Sequence, residues 1–468
     1  MKTRLGTLFA LTIVTALAIG GCGSSASGSR ARPRHGSRTP DKDGEIADGV
    51  GLRASLEQGS LMRGSDGEVF VGVWLDAPDR EGEDERPPLA VSLVIDRSGS
   101  MQGDAIVQAR AAASAFLRSL KDGDQVSIYA FDDEVSEIVA PTALEPPVRE
   151  QMLEAVAAIR PGGSTNVHGG MTSALAALER APDSHPVRRI FLISDGKANI
   201  GPSSPEELGE LASRASDLRA QVTTLGVGLE YDEATLSEIA MKSAGRYHHI
   251  AEPQRMAAVL EEELSILDET VAFDTVVEIV PADGIEVVAA EGLDVEHEGN
   301  RSLIRLGSLA SGQSRHLLVR MRADTDDAGE KPFAAVRLRY KEDREGDEMM
   351  QAVALNYRVT DDEDEIAGSR DEEVAALSVQ FQNARAEQQA GATLSGGDSD
   401  AAADILEQRA AASRTAAGGM AAPAAAPVME QAREMEDRAR RVRRARDRNT
   451  QRSEALEMND SAMGTMGF

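Results

Sequence analysis

The sequence contains little basic charge relative to its acidic charge, and it contains almost no cysteine. Its 468 residues include 50 Lys and Arg against 79 Asp and Glu, which gives a formal net charge of −29 at pH 7. So acidic a chain repels phosphate backbones, and nucleic-acid binding is excluded unless basic residues are gathered in one patch. The single cysteine, Cys22, excludes a disulfide within the chain.

Motifs of common catalytic sites are also missing. The sequence has no Gly-x-Ser-x-Gly elbow, no phosphate-binding loop and no His-Glu-x-x-His helix; the pair His248-His249 lacks the spacing of a zinc protease and is expected to end a strand. After the first residues, no run of 18 apolar side chains follows, so no membrane-spanning helix is expected there. These absences argue against an enzyme.

The first 21 residues have the pattern of an export signal. Lys2 and Arg4 precede an apolar stretch from Leu8 to Ile19, which is too short to span a bilayer. Together with Cys22, the end of this segment resembles the lipobox of bacterial lipoproteins, which implies cleavage before Cys22 and acylation of the new N-terminus, for example with palmitate. Stable anchoring in the bacterial cell envelope would follow. Gly23, which stands where an Asp would retain such a protein in the inner membrane, favours the outer membrane. The alternative is an ordinary secretory peptide with a stray cysteine.

Composition and periodicity divide the rest of the chain. A Gly-, Ser-, Arg- and Pro-rich stretch cannot repay the entropy of folding and is expected to be a flexible tether. Alternating apolar strands and amphipathic helices then predict a doubly wound α/β domain with a mostly parallel sheet, and short alternating segments predict a β-sandwich. The expected divisions are a leader (1–21), the tether (22–50), N-terminal strands of the sandwich (51–86), the α/β domain (88–267), the sandwich (269–360) and a helical, low-complexity region (361–468).

Because an isolated strand pair is unstable, the strands before the α/β domain are expected to complete the sandwich, so the α/β domain would be an insertion. In the last region, residues from Val428 to Ala445 form a heptad-like stripe of mostly small side chains. A partner helix is one interpretation; a solvated, partly disordered arm is the favoured one. The seven arginines between Arg438 and Arg448 could bind anionic envelope polymers, or they could lie against the protein's own acidic body.

Oxygen-bearing side chains gather at predicted strand ends, where open α/β sheets bind ligands. Asp96, Ser98 and Ser100 follow the first apolar strand, and Gly99 is expected to let the chain curl so that they converge. Oxygen-only ligands suit a hard cation such as Mg²⁺. Two further pieces complete the set at the same edge: Ser164-Thr165 after a Gly-Gly turn, and Asp195-Gly196 after a buried strand.

These motifs match the metal-ion-dependent adhesion site of von Willebrand factor type A domains, and the region from Pro88 to Leu267 resembles such a domain, closest to its bacterial and inter-alpha-trypsin-inhibitor heavy-chain branches. The resemblance implies that three hydroxyls bind the metal directly and that two carboxylates bind it directly or through water: Ser98, Ser100 and Thr165, with Asp96 and Asp195. It implies Mg²⁺, with Mn²⁺ or Ca²⁺ as alternatives. The loop reads Gly-Gly-Ser-Thr where the family has Gly-Gly-Thr, so Ser164 and Thr165 both remain candidates; Asn166 after Thr165 favours Thr165.

The resemblance makes a metal-dependent protein-binding module of a lipid-anchored envelope protein the leading functional hypothesis. In the family, an Asp or Glu of the partner protein completes the metal coordination. One alternative is an envelope scaffold or assembly factor in which the metal is structural. Another is a regulator of a channel or protease, for which no residue of the sequence supplies chemistry.

Overall fold

A computed structural model describes residues 49–79, 86–342 and 347–468, all within one compact unit. The expected leader, Cys22 and nearly all of the tether lie outside the described residues. Within the described part, no helix is both long enough and apolar enough to cross a membrane.

The α/β domain is built on a six-stranded sheet in the order β6-β5-β4-β7-β8-β9, in which only β6 is antiparallel to its neighbour. Its central strands are buried on both faces, because helices cover both sides of the sheet. The predicted fold class is confirmed. The elements are β4 (Leu89–Asp96), α1 (Asp104–Ser119), β5 (Gln125–Phe131), β6 (Val135–Ala143), α2 (Pro146–Ala157), α3 (Val167–Glu179), β7 (Val187–Ser194), α4 (Pro205–Asp217), β8 (Ala220–Val227), α5 (Glu233–Lys242), β9 (Tyr247–Ile250) and α6 (Met256–Asp268).

Two further sheets pack face to face as a β-sandwich around a second apolar core. One has the strand order β1-β3-β14-β11 and the other the order β12-β13-β10-β15-β16-β2. The strands before the α/β domain are β1 (Gly51–Leu56), β2 (Ser60–Met62) and β3 (Glu68–Asp76). Those after it are β10 (Thr270–Pro281), β11 (Ile285–Ala290), β12 (Glu296–Glu298), β13 (Arg301–Ala310), β14 (Ser314–Ala323), β15 (Gly329–Lys341) and β16 (Met349–Thr360).

The α/β domain is inserted into this sandwich, since β3 lies between β1 and β14 in one sheet and β2 pairs with β16 in the other. Hydrogen bonds and an ion pair join the points where the chain enters and leaves the inserted domain. Buried Arg86, at the entry, donates to both carboxylate oxygens of Asp124 at 2.7 Å and forms an ion pair with Asp268 at the end of α6. The insertion therefore starts and ends at one place on the sandwich.

The residues after the sandwich form five helices: α7 (Glu363–Gly368), α8 (Glu372–Ser395), α9 (Ser399–Ala417), α10 (Ala422–Arg444) and α11 (Arg448–Met466). The expectation of a partly disordered arm is wrong. The predicted stripe from Val428 to Val442 is buried, and α10 packs on α9 and α8. Its small side chains allow this close packing, so alanine contributes to a core here. Helix α8 packs on the sandwich strands β3 and β14, and α11 packs on β9 and α5 of the α/β domain.

Candidate metal centre

The predicted site residues meet at the edge where the parallel strands of the α/β domain end. Strands β4 and β7 are adjacent and parallel, with Ile95 opposite Ile193, so the residues that follow them emerge side by side. The third segment, residues 161–166, joins them because Gly99 donates its N–H to the carbonyl of Gly163 at 3.0 Å. Three segments distant in sequence thus form one site.

Asp96 lies at the bottom of this site and is completely buried. Its Oδ1 accepts the backbone N–H of Ser98 at 2.8 Å, and its Oδ2 accepts the hydroxyl of Ser194 at 2.6 Å. Burial raises the pKa of Asp96 to about 6; the hydrogen bonds from Ser194 and Ser98 oppose this rise, and the charge of Asp195 adds to it. The carboxylate is held in one orientation but is costly to ionise.

Asp195 and the two serines of the first segment form a hydrogen-bonded chain. The hydroxyl of Ser100 donates to Oδ1 of Asp195 at 2.6 Å, and the hydroxyls of Ser98 and Ser100 are 3.0 Å apart. Burial raises the pKa of Asp195, and the hydrogen bond from Ser100 opposes the rise. Burial therefore disfavours the ionised form of both carboxylates.

Gly196 leaves the space that these side chains surround. A Cβ atom at this position would lie 3.3 Å from the hydroxyl oxygens of Ser100 and Thr165 and 3.8 Å from that of Ser98. Any larger residue would fill the space between the three hydroxyls. Gly99 begins the short 3-10 helix Gly99–Met101 and has no positive φ. Gly163 is the glycine whose conformation is restrictive, with φ +62° and Asp133 too close for a side chain.

The structure separates Ser164 from Thr165. The N–H of Ser164 donates to Asp133 in the β5–β6 turn, whereas the buried Thr165 directs its hydroxyl to the space beside Gly196. Asn199 holds Thr165 in place: its Oδ1 accepts the N–H of Thr165 at 2.8 Å, and its own N–H donates to the Thr165 carbonyl at 3.0 Å. Thr165 is thus the hydroxyl that joins the site.

Two residues of the site escaped sequence analysis: Ser194, which binds Asp96, and Asn199. Ser194 precedes Asp195 in the motif, and its place at the end of an apolar strand next to β4 was the signal that could have revealed it. Asn199 gave a weaker signal, since its role depends on a hydrogen bond to a segment 34 residues away.

The donor set fits a hard divalent cation. Two carboxylates and three hydroxyls converge, and no Lys or Arg of the described residues forms an ion pair with either Asp96 or Asp195; the neighbouring Arg97 is paired with Asp132 at 3.0 Å. The described part of the chain has no group of three or more His, Cys, Asp or Glu side chains suited to a metal, so the hydroxyls are needed to complete the donors. Ser100 is exposed, so the site opens to solvent.

The other sequence candidates do not form a second such site. His248 and His249 both lie on β9, but their rings have separate partners. Nε2 of His248 lies 2.9 Å from Glu263, and Nδ1 of His249 lies 2.9 Å from the hydroxyl of Tyr231. Asp132 accepts the N–H of Glu134 and so caps the β5–β6 turn.

The arginine-rich segment lies against the protein's own acidic groups. Arg438 pairs with the buried Glu387, Arg441 pairs with Glu454, and Arg443 pairs with carboxylates of α9. Of the two interpretations of this segment, the structure favours the internal one.

Comparison with known proteins agrees with this geometry. Residues 91–197 match the family model of the von Willebrand factor type A domain, and this range contains all five predicted metal-site residues. An uncharacterized protein of Synechocystis sp. is 26% identical over 257 residues, covering 52% of this chain and 59% of that protein. Inter-alpha-trypsin inhibitor heavy chain H4 of Sus scrofa is 29% identical over 244 residues, covering 50% of this chain but 26% of the heavy chain. The matches thus span only part of these relatives.

Two solved structures share the fold. The von Willebrand factor type A protein from Catenulispora acidiphila superimposes with a TM-score of 0.70 at 18% identity, covering 88% of this chain and 96% of that one. An ArnB paralogue, VWA2, from Sulfolobus acidocaldarius gives a TM-score of 0.58 at 18% identity, covering 88% and 99%. Because both matches extend well beyond residues 91–197, the likeness in fold includes more than the α/β domain. Fold and family model agree that the α/β domain of this chain is a von Willebrand factor type A domain.

Proposed function

We propose that this domain is a metal-ion-dependent protein-binding module rather than an enzyme. The observation that carries the proposal is the group of three hydroxyls around Gly196, next to two buried carboxylates that lack a cationic partner in the described part of the chain. Mg²⁺ is the proposed ion, with Mn²⁺ and Ca²⁺ as alternatives, because all the donors are oxygen atoms.

Three hydroxyl side chains would bind the ion directly: Ser98, Ser100 and Thr165. Two carboxylates would bind it directly or through water: Asp96 and Asp195. The bound ion would supply positive charge at the open side of the site, where Gly99 and Ser100 are exposed. Since Mg²⁺ takes six oxygen ligands, an Asp or Glu of a partner protein has a position left to occupy.

The chemistry around the hydroxyls favours binding over catalysis. Ser100 donates to Asp195, and Ser98 and Ser100 contact each other. His248 and His249 lie on the edge strand β9 and contact Glu263 and Tyr231 instead. A serine nucleophile would need a base that accepts its proton and passes it on. The hydroxyls are arranged instead as ligands directed toward one point.

The lipid anchor and the envelope location are part of the same proposal and depend on the sequence. Lys2, Arg4 and the apolar stretch before Cys22 support export, and the lipobox-like segment supports acylation of Cys22. We place the protein in the bacterial outer membrane, with the metal site presented on the folded body beyond the tether.

Crosslinking in intact cells identifies the partner, and affinity capture without a crosslinker, in Mg²⁺ or in EDTA, tests the binding function. Wild-type protein captured with Mg²⁺ should retain a partner that EDTA releases. Thr165→Ala should abolish this capture, and the neighbouring Ser164→Ala is the matched control that should keep it. A partner that stays bound in EDTA would contradict the metal-dependent function.

Titration calorimetry with Mg²⁺, Mn²⁺ and Ca²⁺ tests the metal separately from the partner. We expect one site per chain, lost in Thr165→Ala and kept in Ser164→Ala. If none of the three ions binds, the metal site itself is refuted.

Fractionation tests the anchor. Cys22→Ser should release the protein from the membrane fraction or leave an uncleaved precursor. Equal solubility and equal mass of the mature wild-type and variant proteins would refute acylation.

A further inference from the structure

A group of positively charged side chains lies where the α/β domain meets the sandwich, toward the edge at which the parallel strands begin. Arg246, just before β9, pairs with Glu263 of α6 at 3.2 Å, and the charges of both act on Arg189 of β7. The charges of Arg189 and Arg246 act in turn on Arg315, at the start of β14. We call these four residues the junction cluster. It joins the two domains, because Arg315 belongs to the sandwich and the other three to the α/β domain.

Two of these arginines are almost completely enclosed and lack hydrogen-bond partners. Arg189 is 3% exposed and Arg315 is 5% exposed. Nε and Nη1 of Arg189, and Nη2 of Arg315, are buried nitrogen atoms with no acceptor among the described residues. Buried guanidinium groups are normally saturated with acceptors, so these three N–H-bearing atoms point to a missing acceptor.

Glu263 is not sufficient to balance the cluster. In the described part of the chain it is the one carboxylate that pairs with this group, and its oxygen atoms are already shared by His248 at 2.9 Å, Arg246 at 3.2 Å and the hydroxyl of Thr223 at 3.0 Å. The junction cluster therefore contains three guanidinium groups and one carboxylate. At least one positive charge remains without a counter-charge.

The arginines cannot remove this imbalance by losing protons. Burial lowers the pKa of Arg189 to about 10, an effect that Glu263 opposes, and burial together with the charges of Arg246 and Arg189 lowers the pKa of Arg315 to about 10. Both side chains stay charged at neutral pH. The ring of Phe468, which lies 4.9 Å from the Arg315 guanidinium, offers a favourable face but no negative charge.

We propose that the junction cluster binds a small inorganic anion, a halide or a phosphate-type oxyanion, through the unpartnered N–H groups of Arg189 and Arg315. Such an anion would supply both the missing acceptor and the missing charge. It must be small because both side chains are nearly enclosed, and the side chain of Arg246, 36% exposed, offers a route from solvent. Because it contacts both domains, the anion would stabilise their junction.

The thermal stability of the full chain in different sodium salts at constant ionic strength tests the proposal. Chloride and inorganic phosphate are the two binding arms, and gluconate is the large reference anion. A bound anion raises the Tm along a saturable curve. Salt exclusion from the protein surface, by contrast, acts without saturation and affects every variant equally. We expect chloride, phosphate or both to raise the wild-type Tm saturably relative to gluconate.

Arg315→Met should lose the saturable rise and should be at least as stable as wild type in gluconate, since it removes an uncompensated buried charge. Arg118→Met, which removes an exposed arginine of α1, is the matched control and should keep the rise. A saturable rise of equal size in Arg315→Met would place the anion elsewhere and overturn the proposal.

Broadening of the ³⁵Cl NMR line by the wild-type protein supplies a measurement that does not depend on a variant. Phosphate should reverse the broadening by competition. Arg189→Met is the second variant if Arg315→Met does not fold. Absence of both a saturable Tm change and chloride broadening in wild type would overturn the proposal.

Discussion

The two edges of the parallel sheet in the α/β domain carry opposite uncompensated charges. Where the strands end, Asp96 and Asp195 lie together without a cation from the described residues. Where the strands begin, Arg189 and Arg315 lie buried with unpartnered N–H groups, and the carboxylate of Glu263 already pairs with Arg246. The carboxylates at one edge thus lack a positive counter-charge, and the arginines at the other edge lack a negative one.

Helix direction favours this arrangement. In a parallel α/β layout the helix N-termini point to the edge where strands end, and their partial positive charge favours carboxylates there. Helix α3, for example, begins at Val167, two residues after Thr165. The C-termini point the other way and favour arginines: Arg149 donates to the carbonyls of Leu117 and Leu120 at the end of α1. The helix direction therefore favours negative side chains at one edge of the sheet and positive side chains at the other. A bound ion of opposite charge would balance the side chains at each edge.

The largest expected change in the free energy of unfolding comes from breaking a buried ion pair in which both charges have a partner, Arg86 with Asp124. Asp124 is 1% exposed and holds Arg86 and the N–H of Leu89, so Asp124→Asn leaves a buried arginine poorly paired. We expect a loss of about 3–5 kcal/mol in the free energy of unfolding, measured with urea. Asp122→Asn removes the exposed partner of Arg149 and should cost about 0–1 kcal/mol. Similar losses in both variants would contradict the difference between compensated buried pairs and surface pairs.

Lowering the pH should reduce the free energy of unfolding by protonating Glu263 of the junction cluster. Burial alone would raise the pKa of Glu263, but the hydrogen bond from His248 and the charges of Arg246 and Arg189 lower it from 4.5 to about 2. A carboxyl with a lowered folded-state pKa stabilises the fold above its unfolded pKa, and this contribution disappears as the pH falls through the folded pKa. Between pH 5 and pH 2, wild type should lose on the order of 3 kcal/mol more than Glu263→Gln.

Urea unfolding at several pH values measures this difference. Glu261→Gln changes an exposed carboxyl on the same helix and should follow the wild-type curve. If Glu263→Gln keeps the wild-type pH dependence, the cluster does not hold Glu263 ionised.

At the opposite edge of the sheet, Mg²⁺ bound at the proposed metal site should raise the stability of the fold. Mg²⁺ at a hundredfold excess over its Kd should stabilise wild type by about 2.7 kcal/mol relative to EDTA, with a Tm that depends on Mg²⁺ concentration. Asp96→Asn removes one of two neighbouring negative charges, so in EDTA it should be at least as stable as wild type, while the Mg²⁺ increment shrinks or vanishes.

Thr165→Ala deletes a neutral ligand and should lose the increment without gaining stability in EDTA, and Ser164→Ala should behave as wild type. A full Mg²⁺ increment in both Asp96→Asn and Thr165→Ala would mean that the ion binds elsewhere.

The smallest effect concerns positioning. Asn199→Ala leaves every proposed metal donor in place but removes the acceptor that holds the Thr165 N–H. We expect the Kd for Mg²⁺ to rise about 10–100-fold by titration calorimetry, the range typical of groups that orient metal ligands. Asn199→Asp keeps an oxygen acceptor and should restore much of the affinity. Unchanged binding in Asn199→Ala would show that the Thr165 segment is rigid without this contact.

Sequence analysis predicted the parallel part of the fold well because buried strands are apolar runs with sharp ends. Strands β4 and β7 are such runs, and both end at the metal site. Strand β6 gave no such signal, because its residues are half-buried or exposed throughout and show no clear alternation. The packing of α10 was also missed, because a stripe of mostly small side chains resembles a solvated helix until the partner helices are known.

The five predicted metal-site residues come together, because a motif at the end of a parallel strand has its position set by the sheet. Residues that act on backbone groups of another loop, such as Asn199, leave no comparable pattern in the sequence. The junction cluster was unpredictable for the same reason, since Arg189 and Arg315 come from different domains.

The insertion of the α/β domain has a consequence for the order of folding. Asp76 on β3 pairs with Ser314 on β14, 238 residues later, so the first sheet of the sandwich cannot close until the whole inserted domain and strands β10 to β14 have been synthesised. The inserted domain closes through far more local contacts and is free to fold earlier. Strands β1 and β3 can pair with each other at once, but the other edge of β3 must wait for β14 and β2 must wait for β16, which leaves edges open to misassociation. The earliest-made strands of the folded body therefore gain part of their native neighbours only much later in synthesis.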